Sequence, residues 1–175
     1  MRYPSPPEPG GFMPIPAPLD LHRERVRPDW IDYNGHMNVA YYLLAFDHAT
    51  DDFFDFLGLD EPYRTTTGNS TFAVEAHVTY QREVGAGDDL RFTTQLLGFD
   101  EKRIHFIHHM YHAEEGFLAA TAEWLSLHID LDRRRVAPFP EAIAGRLAEV
   151  LAAHGELPVP PEVGRVIGKP APKGG

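Results

Sequence analysis

The spacing of apolar positions changes period several times along the 175 residues, and each change marks an element. Residues 21–27 read as a first strand that Pro28 stops. Over 38–57 the positions Val39, Tyr42, Leu43, Phe46, Thr50, Phe53 and Leu57 recur at three- and four-residue steps, which predicts one long helix with a single buried stripe. Asn38 is placed to cap that helix and Gly58 to end it. Asp51, Asp52 and Asp55 crowd its C-terminal half, where the helix dipole disfavours acids; a solvated face or a contact with another subunit is needed there. Four runs of period two follow, over 71–80, 90–97, 103–112 and 117–129. In the first, Phe72, Val74, Ala76, Val78 and Tyr80 alternate with Thr71, Ala73, Glu75, His77 and Thr79. The joints at 85–89, 98–101 and 114–116 are short, so consecutive strands are expected to be antiparallel neighbours. A last helical pattern covers 140–154, with Ile143, Leu147, Val150 and Leu151 as its apolar stripe. Strand, long helix, four antiparallel strands and short helix make an α+β layout. The long helix covers one sheet face; the other face or an edge still needs cover, and oligomerisation is the usual means.

Both ends leave this pattern. Residues 1–18 hold seven prolines and read as an extended arm. Residues 157–175 repeat the theme with Pro158, Pro160, Pro161, Pro170 and Pro172, so one globular domain is expected over 19–156. A hydrophobic content of 43% supports a real core. The formal charge of -10 argues against a general affinity for nucleic acid, while leaving room for a local basic pocket that takes phosphate. With no Cys, disulfides, thiolate catalysis and Cys-ligated zinc are excluded. The first residues lack the apolar stretch of a secretory signal, and no apolar run is long enough to span a membrane, so a cytoplasmic protein is expected.

The chemistry concentrates in the turn before the long helix, Asp32-Tyr33-Asn34-Gly35-His36-Met37-Asn38. Taken alone, Asp-x-Asn-Gly is an ordinary turn and capping string. Ahead of a long helix it has more to offer. A helix N-terminus presents free N–H groups and a positive dipole end, and Gly35 permits close approach of a substrate. Asp32 supplies a nucleophile or base, Asn34 can orient it, and His36 can assist as donor or base. Followed by Tyr41-Tyr42 and the helix, the string resembles the hot dog-fold thioesterases, most closely the 4-hydroxybenzoyl-CoA thioesterase-like group, in which an acidic residue precedes a Gly just before the central helix. The Asp-x-Asn-x-His-hydrophobic-Asn spacing is also similar to the catalytic region of plant acyl-acyl-carrier-protein thioesterases. In element order the resemblance spans roughly residues 20–135. His36 departs from the 4-hydroxybenzoyl-CoA group, where an aliphatic residue is common.

The resemblance implies a hot dog fold: a long central helix wrapped by an antiparallel β-sheet, here with proline-rich tails. It implies an acyl-CoA thioesterase that releases free acid and CoA-SH, with no cofactor and with its site at the interface of a homodimer or homotetramer. Asp32 is then the nucleophile, forming a mixed anhydride, or the base that activates water, and the amides of Gly35, His36 and Met37 form the oxyanion hole. The resemblance extends to thioesterase domains of carnitine and betaine catabolism, whose cationic acyl groups suit an aromatic, acidic pocket.

Other residues carry two readings each. Trp30, Tyr33 and Tyr41 are either acyl-pocket walls or packing. Glu123, in line with Thr121 on a mostly apolar strand face, is either an auxiliary acid beside the turn or a paired carboxylate; both residues are candidates for substrate binding. Arg82 and Arg103, with Arg91, Lys102 and the run 133–135, can receive CoA phosphates or simply sit in solvent. Asp47 is a reserve nucleophile or base, or part of a solvated helix face, and Glu75 and His77 share a strand face. The string His105, His108, His109, His112 invites a metal, but on a strand these side chains split between faces, so no metal is expected there. Two other functions use the same fold: a hydratase or dehydratase relying on His36 or His48, and a non-catalytic protein that binds acyl ligands.

Overall fold

The computed structural model describes residues 14–168, so the expected N-terminal arm lies outside the described residues over 1–13 and the expected C-terminal tail over 169–175. The chain runs β1 (Leu19–Arg25), a 3-10 turn (Pro28–Trp30), α1 (Val39–Leu57), α2 (Glu61–Thr67), β2 (Asn69–Tyr80), β3 (Asp89–Phe99), β4 (Arg103–His112), β5 (Leu118–Asp130), β6 (Arg135–Val136) and α3 (Glu141–His154). The first strand starts and ends two residues earlier than the pattern predicts. The helix α2 and the short β6 are additions to it.

The strands form one sheet in the order β1-β3-β4-β5-β2, antiparallel throughout, with β6 pairing to the end of β5. α1 lies against one face, touching β1, β4 and β5. Asn38 caps it by accepting from the Ala40 N–H at 3.0 Å, and Gly58 ends it in the left-handed region at φ 83, both as expected. Tyr42, Phe46, Thr50, Phe53 and Leu57 are buried as the stripe predicts. Val39 and Leu43 are not, at 58% and 42% exposed. Ala45 and Ala49 take the buried positions instead, and their small side chains let the helix sit close to the sheet. Phe46 and Phe53 meet Phe92, Phe106 and His108, an aromatic cluster at the centre of the core.

β2 departs from simple alternation. Ala73 pairs with Ser126 and Glu75 with Leu125, so Val74 is an extra residue, a bulge. Directly opposed residues share a face, so the bulge divides the expected apolar row. Phe72 lies with Leu127 on the face away from α1, while Ala76, Val78 and Tyr80 lie with Trp124, Ala122 and Ala120 on the α1 face. β2 is the last strand of the sheet, and Phe72, Val74 and Tyr80 are 49%, 52% and 51% exposed.

The face away from α1 is crossed by the chain after α3. Gln95 donates to the Pro158 carbonyl at 3.3 Å, and the Gly164 N–H donates to Glu123 Oε2 at 2.8 Å. No helix among the described residues is long and apolar enough to cross a membrane.

Candidate active site

The turn from Asp32 to Asn38 is held by backbone bonds. The Asp32 N–H donates to the His36 carbonyl and the Gly35 N–H to the Asp32 carbonyl, each at 3.0 Å. Met37 N–H donates to Val84 and Asn38 N–H to Trp30, each at 2.9 Å, which ties the turn to the chain on either side. Gly35 sits at φ 86, where a side chain is strained. The half-buried Asp32 carboxylate accepts from the Asn34 N–H at 2.8 Å through Oδ1, while Oδ2 faces the Asn38 amide at 3.5 Å. Oδ2 is thus the less committed oxygen.

These bonds correct the expected oxyanion donors. The amides of Gly35 and Met37 are spent within the turn. Among the described residues, the His36 N–H and the Val39 N–H at the first helical position have no hydrogen-bond acceptor. The His36 side chain is 43% exposed, with Nε2 at 3.8 Å from Glu83.

The remaining candidates separate. Trp30 is buried and stacks on Tyr41 at 5.4 Å between centroids, so it packs the core rather than lining a pocket. Tyr33, beside Asp32, is 96% exposed. Arg82 lies two residues from Val84, at the same end of the sheet as the turn; its guanidinium covers the Phe117 ring at 3.9 Å and approaches Glu115 at 3.5 Å. Arg103 sits at the other end of β4, nine positions before His112, about 30 Å away at 3.3 Å per residue. It pairs with Asp100, whose carboxyl is held down to about 2 by the Arg103 hydrogen bond.

Glu123 does not join the turn. Ala122 and Trp124 face α1, so Glu123 points to the other side of the sheet, where Oε1 meets His105 Nε2 at 2.7 Å and Oε2 accepts from Gly164. Thr121, on the same side, shares a hydrogen bond of 2.6 Å with Thr79. Glu75 and His77 share that face as read, lining with His105, Glu123 and Phe99 a cavity of about 640 Å³. The four histidines of β4 also split as read. His108 is wholly buried on the α1 side, and His109 on the other stands 3.9 Å from Glu162.

One feature went unread in the sequence. Between α1, β2 and β5 lies a groove of about 350 Å³ whose lining includes Asp47, Asp51, Asp55, Phe54 and Trp124. Partial burial, then the charges of Asp47 and Asp55, push the Asp51 carboxyl up. The Trp124 Nε1 is buried without a partner among the described residues. Asp51 and Asp55, two of the three acids that crowd the end of α1, therefore line a groove beside edge strand β2.

Comparison with known proteins places the chain in a family. The model of the thioesterase-like superfamily matches residues 26–147. A betainyl-CoA thioesterase of Pseudomonas aeruginosa is 43% identical over 152 residues, covering 87% of this chain and 96% of its own. An L-carnitine dehydrogenase/betainyl-CoA thioesterase of Agrobacterium fabrum is 40% identical over 147 residues, of which it has many more: the chain spans 30% of its length. Among solved structures, a Staphylococcus aureus protein in complex with CoA superposes with a TM-score of 0.81 at 28% identity, over 88% of this chain and 98% of that one. A thioesterase-like protein of Pseudomonas putida follows at 0.75 and 36%, with the same coverage.

Proposed function

The chain belongs to the thioesterase-like superfamily, and from that premise we propose that it hydrolyses an acyl-CoA thioester at the Asp32 turn. The observation that carries this reading is the half-buried Asp32 carboxylate beside two uncommitted N–H groups at the entrance of α1. The thioester carbonyl oxygen accepts from the His36 and Val39 amides, where the helix dipole adds to the stabilisation of developing negative charge. Asp32 Oδ2 then attacks the carbonyl carbon, expelling CoA thiolate and leaving a mixed anhydride that water opens; alternatively it takes a proton from the water that attacks. Asn38 and the Asn34 amide hold the carboxylate in either route. Arg82, at this end of the sheet, is placed to meet CoA phosphates, and the CoA complex of the staphylococcal neighbour supports that carrier.

The acyl group proposed is cationic, of the betainyl kind named for the relatives. Asp47 lies nine residues beyond Asn38, about 14 Å along the helix, too far to reach a short acyl group on Asp32 of the same chain. A second copy removes the difficulty. Antiparallel pairing of β2 with its counterpart brings the start of one β2, where the acidic groove opens at Ser70, Thr71 and Ala73, beside the end of the other, where Tyr80 leads to the turn. The homodimer, alone or doubled to a tetramer, is therefore part of the proposal.

Thiol release across a panel of betainyl-, fatty acyl- and aryl-CoA esters tests it. Asp32→Asn is expected to lower kcat by about 100-fold or more with the fold intact. Full activity in that variant would overturn the assignment. A preference for uncharged acyl groups would overturn the cationic substrate alone.

A further inference from the structure

β1 and the middle of α1 bring three metal-ligating side chains together on the flank opposite β2. One ligand atom each from His22, Glu24 and His48 lies within 4.8 Å of the others. The His22 Nδ1–H donates to Asp52 Oδ2 at 2.8 Å, so in the neutral ring Nε2 carries the lone pair. That Nε2 is buried and has no hydrogen-bond partner among the described residues. It faces Glu24 Oε2 at 3.5 Å, and His48 Nδ1 approaches the same oxygen at 2.9 Å. In the neutral ring that lone pair is aimed at a carboxylate oxygen, a repulsion that a proton or a metal cation between them removes.

We propose that His22 Nε2, Glu24 Oε2 and His48 Nδ1 bind one divalent transition-metal ion of the zinc class. Metal bonds of about 2.0–2.1 Å in a tetrahedron set ligand atoms about 3.3 Å apart, between the two separations observed. Asp52 fixes the His22 tautomer as carboxylates do behind metal-bound imidazoles. The ion offsets the charges of Glu24 and Asp52; the other Glu24 oxygen, Oε1, lies 3.1 Å from His48 Nδ1 and 3.7 Å from Arg27. Two imidazoles argue against magnesium and calcium, which take oxygen ligands. The fourth position opens on the side of His48, the most exposed of the three at 34% against 14% and 12%. The ion links edge strand β1 to α1 and has no part in the Asp32 chemistry.

The test uses untagged full-length protein, stripped with chelator and desalted. Calorimetry with zinc alone is expected to give one ion per chain, and added zinc to raise the thermal midpoint. His22→Asn and Glu24→Gln should abolish both effects, Asp52→Asn should weaken binding about 10- to 100-fold, and His77→Ala on the far face should change neither. Cobalt substitution of the wild type gives a readout that needs no variant: an intense visible band of tetrahedral cobalt that zinc displaces. A weak six-coordinate spectrum, absent binding, or binding that survives in both His22→Asn and Glu24→Gln overturns the proposal.

Discussion

His108 shows how much one buried side chain settles. The Thr50 hydroxyl donates to the Phe46 carbonyl at 2.9 Å, so at 3.0 Å it must accept from His108 Nε2–H. His108 Nδ1 is then the acceptor for the Thr94 hydroxyl at 2.8 Å. This chain of bonds requires a neutral ring, and burial, with His109 and His22 adding to it, lowers its pKa from 6.5 to about 3. In the unfolded chain the ring protonates near its ordinary value. Between these limits the unfolded state binds the extra proton, so the stabilisation is complete above about pH 6.5 and declines as the pH falls toward 3. Urea midpoints measured across that window should fall with pH, and His108→Gln, which keeps a donor and an acceptor, should flatten the slope. That this side chain shares a face with His112 and not with His105 or His109 was legible from strand alternation. The separation of Glu123 from Asp32 was not, because alternation tells which residues share a face and not which face meets α1. The amides of Gly35 and Met37 escaped for a similar reason: a motif names the N–H groups but not the carbonyls that claim them.

At the level of elements, the long helix was readable because stripe, cap and terminating glycine agree. Gly58 carries the sharpest consequence. At φ 83 any Cβ is strained, and it would also touch Ile143 at 3.5 Å. Gly58→Ala is expected to cost about 1–2 kcal/mol, seen as a lower denaturation midpoint, with thiol release at 25 °C unchanged. α2 announces itself in the same vocabulary. Asp60 accepts from Tyr63 N–H at 2.8 Å, Pro62 stands in the first turn, and Gly68 closes the helix at φ 69. Its seven residues are too few for a periodic stripe, so pattern reading passes over it. The Val74 bulge has no such signature, since neither Gly nor Pro marks it, and one inserted residue is enough to turn Phe72 to the opposite face.

For the whole molecule the unsatisfied feature is β2. A twelve-residue edge strand bearing exposed Phe72, Val74 and Tyr80 invites pairing. On α1, Val39, Leu43 and Leu44 are also exposed. Val74→Lys places a charge at the centre of that edge. Sedimentation should show it as a folded single chain of 19.7 kDa where the proposed assembly makes the parent a dimer, and betainyl-CoA hydrolysis should fall with the loss of pairing. A dimeric Val74→Lys protein would remove β2 from the proposed assembly. The need for a covered edge was legible in the sequence from the α+β layout; the strand that lacks a partner was not, because consecutive strands along the chain leave the sheet order open. The order β1-β3-β4-β5-β2 comes from the crossing that α1 and α2 make between β1 and β2.

The clamp around Asp32 has one further consequence. Four of its bonds join main-chain atoms, through Asp32, Gly35, Met37 and Asn38, and the residues supplying the outer carbonyls are Trp30 and Val84. Main-chain partners are indifferent to side-chain identity. Neighbouring side chains such as Tyr33, or the acids of α1, can therefore be exchanged by mutation without displacing Asp32, the carboxylate proposed to react. A scaffold of this kind separates the chemical step from the choice of acyl group, and new specificities become reachable through single substitutions that leave hydrolysis itself in place.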